Sequence, residues 1–301
     1  MTRYKFVLIE NLNIFYREAG SPDDPTIILF HGFSSSSHYY RNLIPALSDR
    51  FHLVAPDYPG FGNSDWPDVG SFIYTFDHIA EVMEKFLQYL GLNRISFYIQ
   101  GYGAPVGFRL ASKHPEWIET LIIQNGKAYE EGLASACGSM CALWENRNDA
   151  TEAEVLKVLA PEAVKSLYTH GVRHPENLSP DAWNMDRYFL DRPESRGIHL
   201  ELLYDYQHNL ARYEEWHAYF REHQPPTLVA WGKNDPLFGP EGGLVYQRDL
   251  KNIEFHLLDT GHFALEEDCD QIAQLITCFL AKQTEFLNKH PEYSERCRLA
   301  A

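Results

Sequence analysis

The chain has 301 residues, of which 45% are hydrophobic, enough for one large globular domain and too apolar for a disordered one. Its 26 basic and 42 acidic residues leave a net charge of −16, which argues against nucleic acid or an anionic membrane surface as a partner. No secretory apolar segment follows Met1, and no apolar run approaches the about 18 residues of a membrane span. Five cysteines (137, 141, 269, 278 and 297), odd in number and without C-x-x-C spacing, read as reduced thiols, so the expectation is a cytoplasmic protein.

In chain order, residues 4–9 and 13–17 read as an antiparallel pair of strands. Residues 26–30 form a continuous apolar run, as expected of a strand buried on both faces. A helix is predicted over 39–47, then a strand at 51–55 ending at Pro56-Asp57. Residues 76–90 carry Ile79, Val82, Met83, Phe86, Leu87 and Leu90 at helical spacing and stop at Gly91. Strands follow at 94–99 and 120–124, with a helix over 104–114 between them. Between Gln124 and Pro225 the strand rhythm stops, and the sequence is helical and aromatic. Strands at 226–231 and 253–257 and a helix over 268–283 complete the pattern.

Strand, turn and helix in repetition predict an α/β fold: a mostly parallel eight-stranded sheet flanked by helices, with a helical cap inserted once. The expected division is a core of residues 1–126 and 225–301 and a cap of 127–224. A ligand crevice belongs at the C-terminal ends of the strands, beneath that insertion. No His/Cys cluster has metal-ligand spacing and no phosphate loop is present, so neither metal nor cofactor is expected.

Four loops carry chemistry. His31-Gly32-Phe33 follows the buried strand. Asp57-Tyr58-Pro59-Gly60-Phe61-Gly62 is a turn cluster after the next strand. Trp231-Gly232-Lys233-Asn234-Asp235-Pro236 offers Asp235 as an acid, and Asp259-Thr260-Gly261-His262-Phe263 offers His262 as a base. The fifth strand feeds Gln100-Gly101-Tyr102-Gly103-Ala104-Pro105, a tight turn before a helix.

Together these motifs over residues 5–283 resemble the haloalkane dehalogenase and epoxide hydrolase branch of the α/β-hydrolase fold. The string from Gln100 to Leu110 is the most specific part. Members of that branch carry Asp, then Trp or Tyr, then Gly, at a nucleophile elbow. The Asp attacks the carbon bearing halide or epoxide oxygen, and water activated by the His releases the ester. The resemblance implies that His262 activates water, that Asp235 orients His262, and that Phe33 and Tyr102 supply oxyanion N–H groups. It supplies no nucleophile, because Gly101 stands where the family has Asp.

Three readings follow: a hydrolase with its nucleophile removed, a rebuilt site, or a small-molecule binding protein. For a rebuilt or redesigned site, Lys127 at the end of a core strand is a second departure from the family pattern. A lysine in an apolar pocket can form a Schiff base and support aldol-type chemistry; a solvated loop lysine is the plainer alternative. Cys137 or Cys141 paired with His262 is another candidate thiolate, against the commoner inert cysteine. The insertion's aromatics (Trp144, Tyr168, Trp183, Tyr188, Phe189, Tyr204, Tyr206 and Trp216) predict an apolar cover. Cys141, Trp144 and Tyr188 are the expected pocket residues. A small neutral organic molecule is the expected partner of a monomer or homodimer.

Overall fold

The computed structural model describes residues 1–132 and 138–283. Eight strands form one sheet: β1 (Arg3–Ile9), β2 (Leu12–Ala19), β3 (Thr26–Phe30), β4 (His52–Pro56), β5 (Ile95–Gln100), β6 (Ile118–Gln124), β7 (Thr227–Gly232) and β8 (Ile253–Leu258). Their spatial order is β1-β2-β4-β3-β5-β6-β7-β8. β2 is antiparallel to β1 and β4, and every other pair is parallel. All residues of β3, β4, β5 and β7 are buried, because helices cover both faces of a parallel sheet. At the edge, β1 instead alternates, with Val7 and Ile9 buried and Tyr4, Phe6 and Leu8 exposed.

β3 pairs with β4 on one side and β5 on the other. The chain therefore changes direction across the sheet at β3, and a crevice opens above the C-terminal ends of β3 and β5. The His31 loop and the Gly101 turn leave the sheet at this point.

Helices α1 (Leu43–Leu47), α2 (Phe76–Tyr89) and α3 (Gly103–Lys113) connect the first strands. The helix expected over 39–47 is split into a 3-10 turn at Ser37–Tyr40 and the short α1. Pro45 explains this: it lacks an N–H and is tolerated only in a first turn, so no helix can run through it from residue 39. α2 is capped by Thr75, whose side chain accepts from His78 N.

After β6 come α4 (Gly138–Glu145), α5 (Asp149–Val155), α6 (Pro161–Thr169), α7 (Asp181–Leu190), α8 (Ser195–Asp205), α9 (Gln207–Ala211) and α10 (Tyr213–His223). Leu143, Val155, Leu156 and Leu203 form a small apolar cluster of their own in this insertion. α10 lies against the core helix α3, with Trp216 packed on Phe108 at 5.4 Å between ring centroids. α11 (Glu241–Leu244) precedes β8, and α12 (Leu265–Gln283) ends the described chain. Asp268, the expected start of the last helix, is a non-helical residue inside α12, where two helical segments meet at a kink.

Candidate active site

His262 leaves the loop after β8 with its ring buried at 3% exposure. Its Nδ1–H donates to Asp235 Oδ2 at 2.7 Å. Asp235, in the loop after β7, is fixed by further donors. Asn125 Nδ2 reaches the same oxygen at 2.7 Å, and the Leu237 and Phe238 N–H groups reach Oδ1 at 2.7 and 3.1 Å. A carboxyl group held by so many donors keeps its direction, so it fixes the tautomer and orientation of the imidazole. Nε2 of His262 is left as the acceptor, and Gln100 Nε2 donates to it at 3.0 Å.

Gln124, at the end of β6, braces the same loop. Its amide donates to the His262 carbonyl at 2.9 Å and to Asn125 Oδ1 at 2.6 Å, and its Oε1 accepts from Tyr39 Oη at 2.7 Å. Glutamines at the ends of neighbouring strands thus hold the ring and the backbone of one histidine.

Gly101 forms the turn from β5 into α3 with φ of +52°, a left-handed conformation that L side chains rarely adopt. A Cβ at this position would stand 3.6 Å from Phe33 N and 3.7 Å from His262 Nε2, with Gly32 Cα at 3.1 Å. Any side chain at 101 would therefore project between the Phe33 N–H and His262 Nε2. His31 shapes the facing loop. Its Nδ1–H donates to Gly32 O at 3.1 Å, its Nε2 accepts from Tyr58 N at 3.4 Å, and its ring stacks on Tyr58 at 4.1 Å. Burial pushes the His31 imidazole down to about 3, so it stays neutral and structural.

Above this floor lies a cavity of about 310 Å³. Phe33, Gly101, Tyr102 and His262 form its base, Leu237 and Phe238 one wall, and Met140, Val155, Val158, Leu203 and Tyr206 its roof, with Ser139, Glu154 and Lys157 completing the lining. The Glu154–Lys157 ion pair is largely exposed and charges this edge of the cavity. An apolar chamber with one histidine at its floor suits a small, neutral ligand.

Residues 25–268 match the family described as alpha/beta hydrolase fold. The chain belongs to this family. It is 38% identical over 283 residues to an uncharacterized hydrolase of Saccharomyces cerevisiae, covering 93% of this chain and 97% of the relative. It is 27% identical over 295 residues to a haloalkane dehalogenase of Mesorhizobium japonicum, covering 90% and 91% of the two chains. Among solved structures, the haloalkane dehalogenase DbeA from Bradyrhizobium elkani shares the fold with a TM-score of 0.79 at 21% identity, over 94% of this chain and 99% of that one.

On this hydrolase scaffold the structure brings His262, Asp235, Gly101, Phe33 and Tyr102 together. It does not bring the other expected residues to the cavity. Cys141 is exposed on α4, while its neighbours Ser139 and Met140 face inward. Tyr188 stands 66% exposed on α7. Trp144 lies behind the lining, its indole N–H donating to Leu203 O at 2.9 Å and its ring parallel to Tyr206. Lys127 is buried rather than solvated, but its Nζ donates to Glu130 O at 3.1 Å and lies 5.9 Å from the Phe238 ring centroid, outside the cavity lining. Cys137 falls outside the described residues.

Sequence reading missed Gln100, Gln124 and Asn125, although all three flank motif residues at strand ends. It also missed Asp186 on α7, a fully buried carboxyl that accepts from Ser34 Oγ at 3.0 Å and Tyr168 Oη at 2.6 Å. Burial pushes this carboxyl up to about 8. His199 on α8 was missed as well; it is edge-on to Phe33, and neither of its ring nitrogens has a partner among the described residues. Burial holds it neutral, at about 3.

Proposed function

We propose that position 101 is a vacant nucleophile position, and that this protein binds a small neutral organic electrophile in its cavity without forming a covalent intermediate. The observation that carries this reading is the placement of Gly101, whose absent side chain would have stood between Phe33 N and His262 Nε2. In a site of this shape a carboxylate would attack carbon, and His262 would then activate water to release the ester. Without it, the remaining chemistry is direct attack by water. The water oxygen bonds to the electrophilic carbon as its proton passes to His262 Nε2, and the carbon–halogen or epoxide carbon–oxygen bond breaks. Halide departs as the anion, or the ring oxygen becomes an alkoxide that takes the proton from His262, with the Phe33 and Tyr102 N–H groups receiving the developing negative charge. Loss of a covalent nucleophile costs several orders of magnitude in rate, so binding with slow turnover is the expected phenotype.

The haloalkane dehalogenase relatives make carbon–halogen bonds the first substrate class to try, and the resemblance of the elbow adds epoxides and small esters. A Schiff-base reading through Lys127 has less support, because the amine is engaged by Glu130 and Phe238 outside the cavity. A thiolate reading through Cys141 has less still, because that residue is exposed on α4.

The test compares the protein with its Gly101→Asp variant on haloalkanes, epoxides, aryl esters and a β-hydroxyketone. Hydrolysis of halides or epoxides only by the variant supports the vacant position. Turnover of the hydroxyketone by the unaltered protein, lost in the variant, would overturn it in favour of a nucleophile elsewhere.

A further inference from the structure

Gln100 is the last residue of β5 and has no exposed surface. Its amide sits under the His31-Gly32-Phe33 loop so closely that a Cβ on Gly32 would lie 2.1 Å from Gln100 Oε1. Gly32 is thus the residue that makes room for this side chain. From there Gln100 Nε2 reaches His262 Nε2 at 3.0 Å. The opposite ring nitrogen is committed to Asp235 as a donor, so the lone pair on Nε2 is the only basic site of the imidazole, and the Gln100 amide occupies it.

We infer that Gln100 is a positioning residue that latches the base: its amide covers Nε2 of His262 and must swing off that nitrogen before the ring can take a proton. The inference rests on the reading of His262 as the base. Protonation of Nε2 with the amide in place would set an N–H against an NH₂, two donors and no acceptor. A water bound for attack must also use the same lone pair.

The energetics make the latch shallow. The hydrogen bond to Nε2 is a single neutral one, modest in net worth. The other end of the amide, Oε1, is buried without a partner among the described residues, and an orphaned buried acceptor costs about as much as such a bond contributes. The two terms nearly offset, so a ligand or water that pairs with either end can release the amide. Buried half-satisfied amides are rare in folded proteins and call for a specific reason. Here the reason is a closed state that opens cheaply at the cavity floor, which Gly101 and His262 both line.

The experiment measures carbethoxylation of His262 by diethyl pyrocarbonate, a reagent that acylates a free imidazole lone pair, with the modified peptide quantified by mass spectrometry. The unaltered protein is compared with Gln100→Met and Gln100→Leu, which keep side-chain bulk but lose the donor, and with Gln100→Asn, which keeps the amide but not its reach. His262 is expected to react at least 10-fold faster in all three variants. Equal rates would overturn the latch. If the variants fold poorly, ¹⁵N NMR of the unaltered protein decides: the Nε2 resonance should carry the signature of an imine nitrogen accepting a hydrogen bond from the Gln100 amide. A free imine signature would overturn the latch. Faster labelling without hydrolysis of any substrate would keep the latch and remove water activation. Unchanged labelling would remove the latch whatever the hydrolysis result.

Discussion

Asp186 on α7 accepts a hydrogen bond from Ser34 Oγ at 3.0 Å, joining the cap to the residue that follows Phe33. Ser34 has φ of +61°, and the same carboxyl oxygen also accepts from Tyr168, whose ring stacks on Phe263 beside His262 at 4.0 Å. One buried carboxyl therefore ties the cap to both loops at the cavity floor.

This tie predicts an unusual pH dependence. Burial raises the Asp186 carboxyl from 3.8 to about 8 in the folded chain, so the folded state holds a proton that the unfolded state releases. The contribution to stability is complete below about 4 and is lost as pH rises through 8, with a slope of at most about 1.4 kcal/mol per pH unit. Asp186→Asn keeps an acceptor for Ser34 and Tyr168 and cannot ionise. Its melting temperature should fall less between pH 5 and pH 8 than that of the unaltered protein. Parallel curves would show that Asp186 does not carry the effect.

Gly101→Asp should cost stability even where it adds chemistry. A left-handed φ costs a non-glycine residue about 1–2 kcal/mol, and the new Cβ meets Gly32 Cα at 3.1 Å. Gly101→Ala should show a similar loss in denaturant melts but no gain in halide or epoxide hydrolysis. If alanine also brings activity, the carboxylate is not its source.

Removing Asp235 should do more than disable a base. Asp235→Ala strips the acceptor from the Leu237 and Phe238 N–H groups, from Asn125 and from His262. Leaving buried donors unpaired costs about 1–3 kcal/mol each. Asp235→Asn should unfold less readily than Asp235→Ala, while lowering any turnover of the Gly101→Asp protein as strongly. Equal melting points for the two variants would refute this account.

The cavity itself can be tested without chemistry. Ser139 is half-buried at the cavity lining, so Ser139→Trp should fill part of the about 310 Å³ space and weaken binding of a neutral aromatic probe at least 10-fold, with little change in melting temperature. Unaltered affinity, read by calorimetry, would place the ligand elsewhere.

Lys127 offers a negative test of the same reading. A carbonyl probe followed by borohydride should leave the peptide containing Lys127 unmodified, since its amine is held by the Glu130 carbonyl against Phe238. A reduced adduct there would favour the Schiff-base alternative.

Sequence alone determined the strand sequence, the four loops and the positions of Gly101, Asp235 and His262. These signals are local: apolar runs of strand length, glycines where turns need them, and a histidine after the final strand. Tertiary structure decided which polar groups meet. Gln100 and Gln124 end neighbouring strands, and only pairing of β5 with β6 sets both against His262. The cap was least legible. In α8, Ile198, His199, Leu202 and Leu203 are all buried, yet only Leu203 among them lines the cavity, because part of the helix packs on the core instead. Composition makes such a helix apolar, but only its docking decides which side chain faces the ligand. The same docking turned Cys141 and Tyr188 outward and buried Asp186 against Ser34.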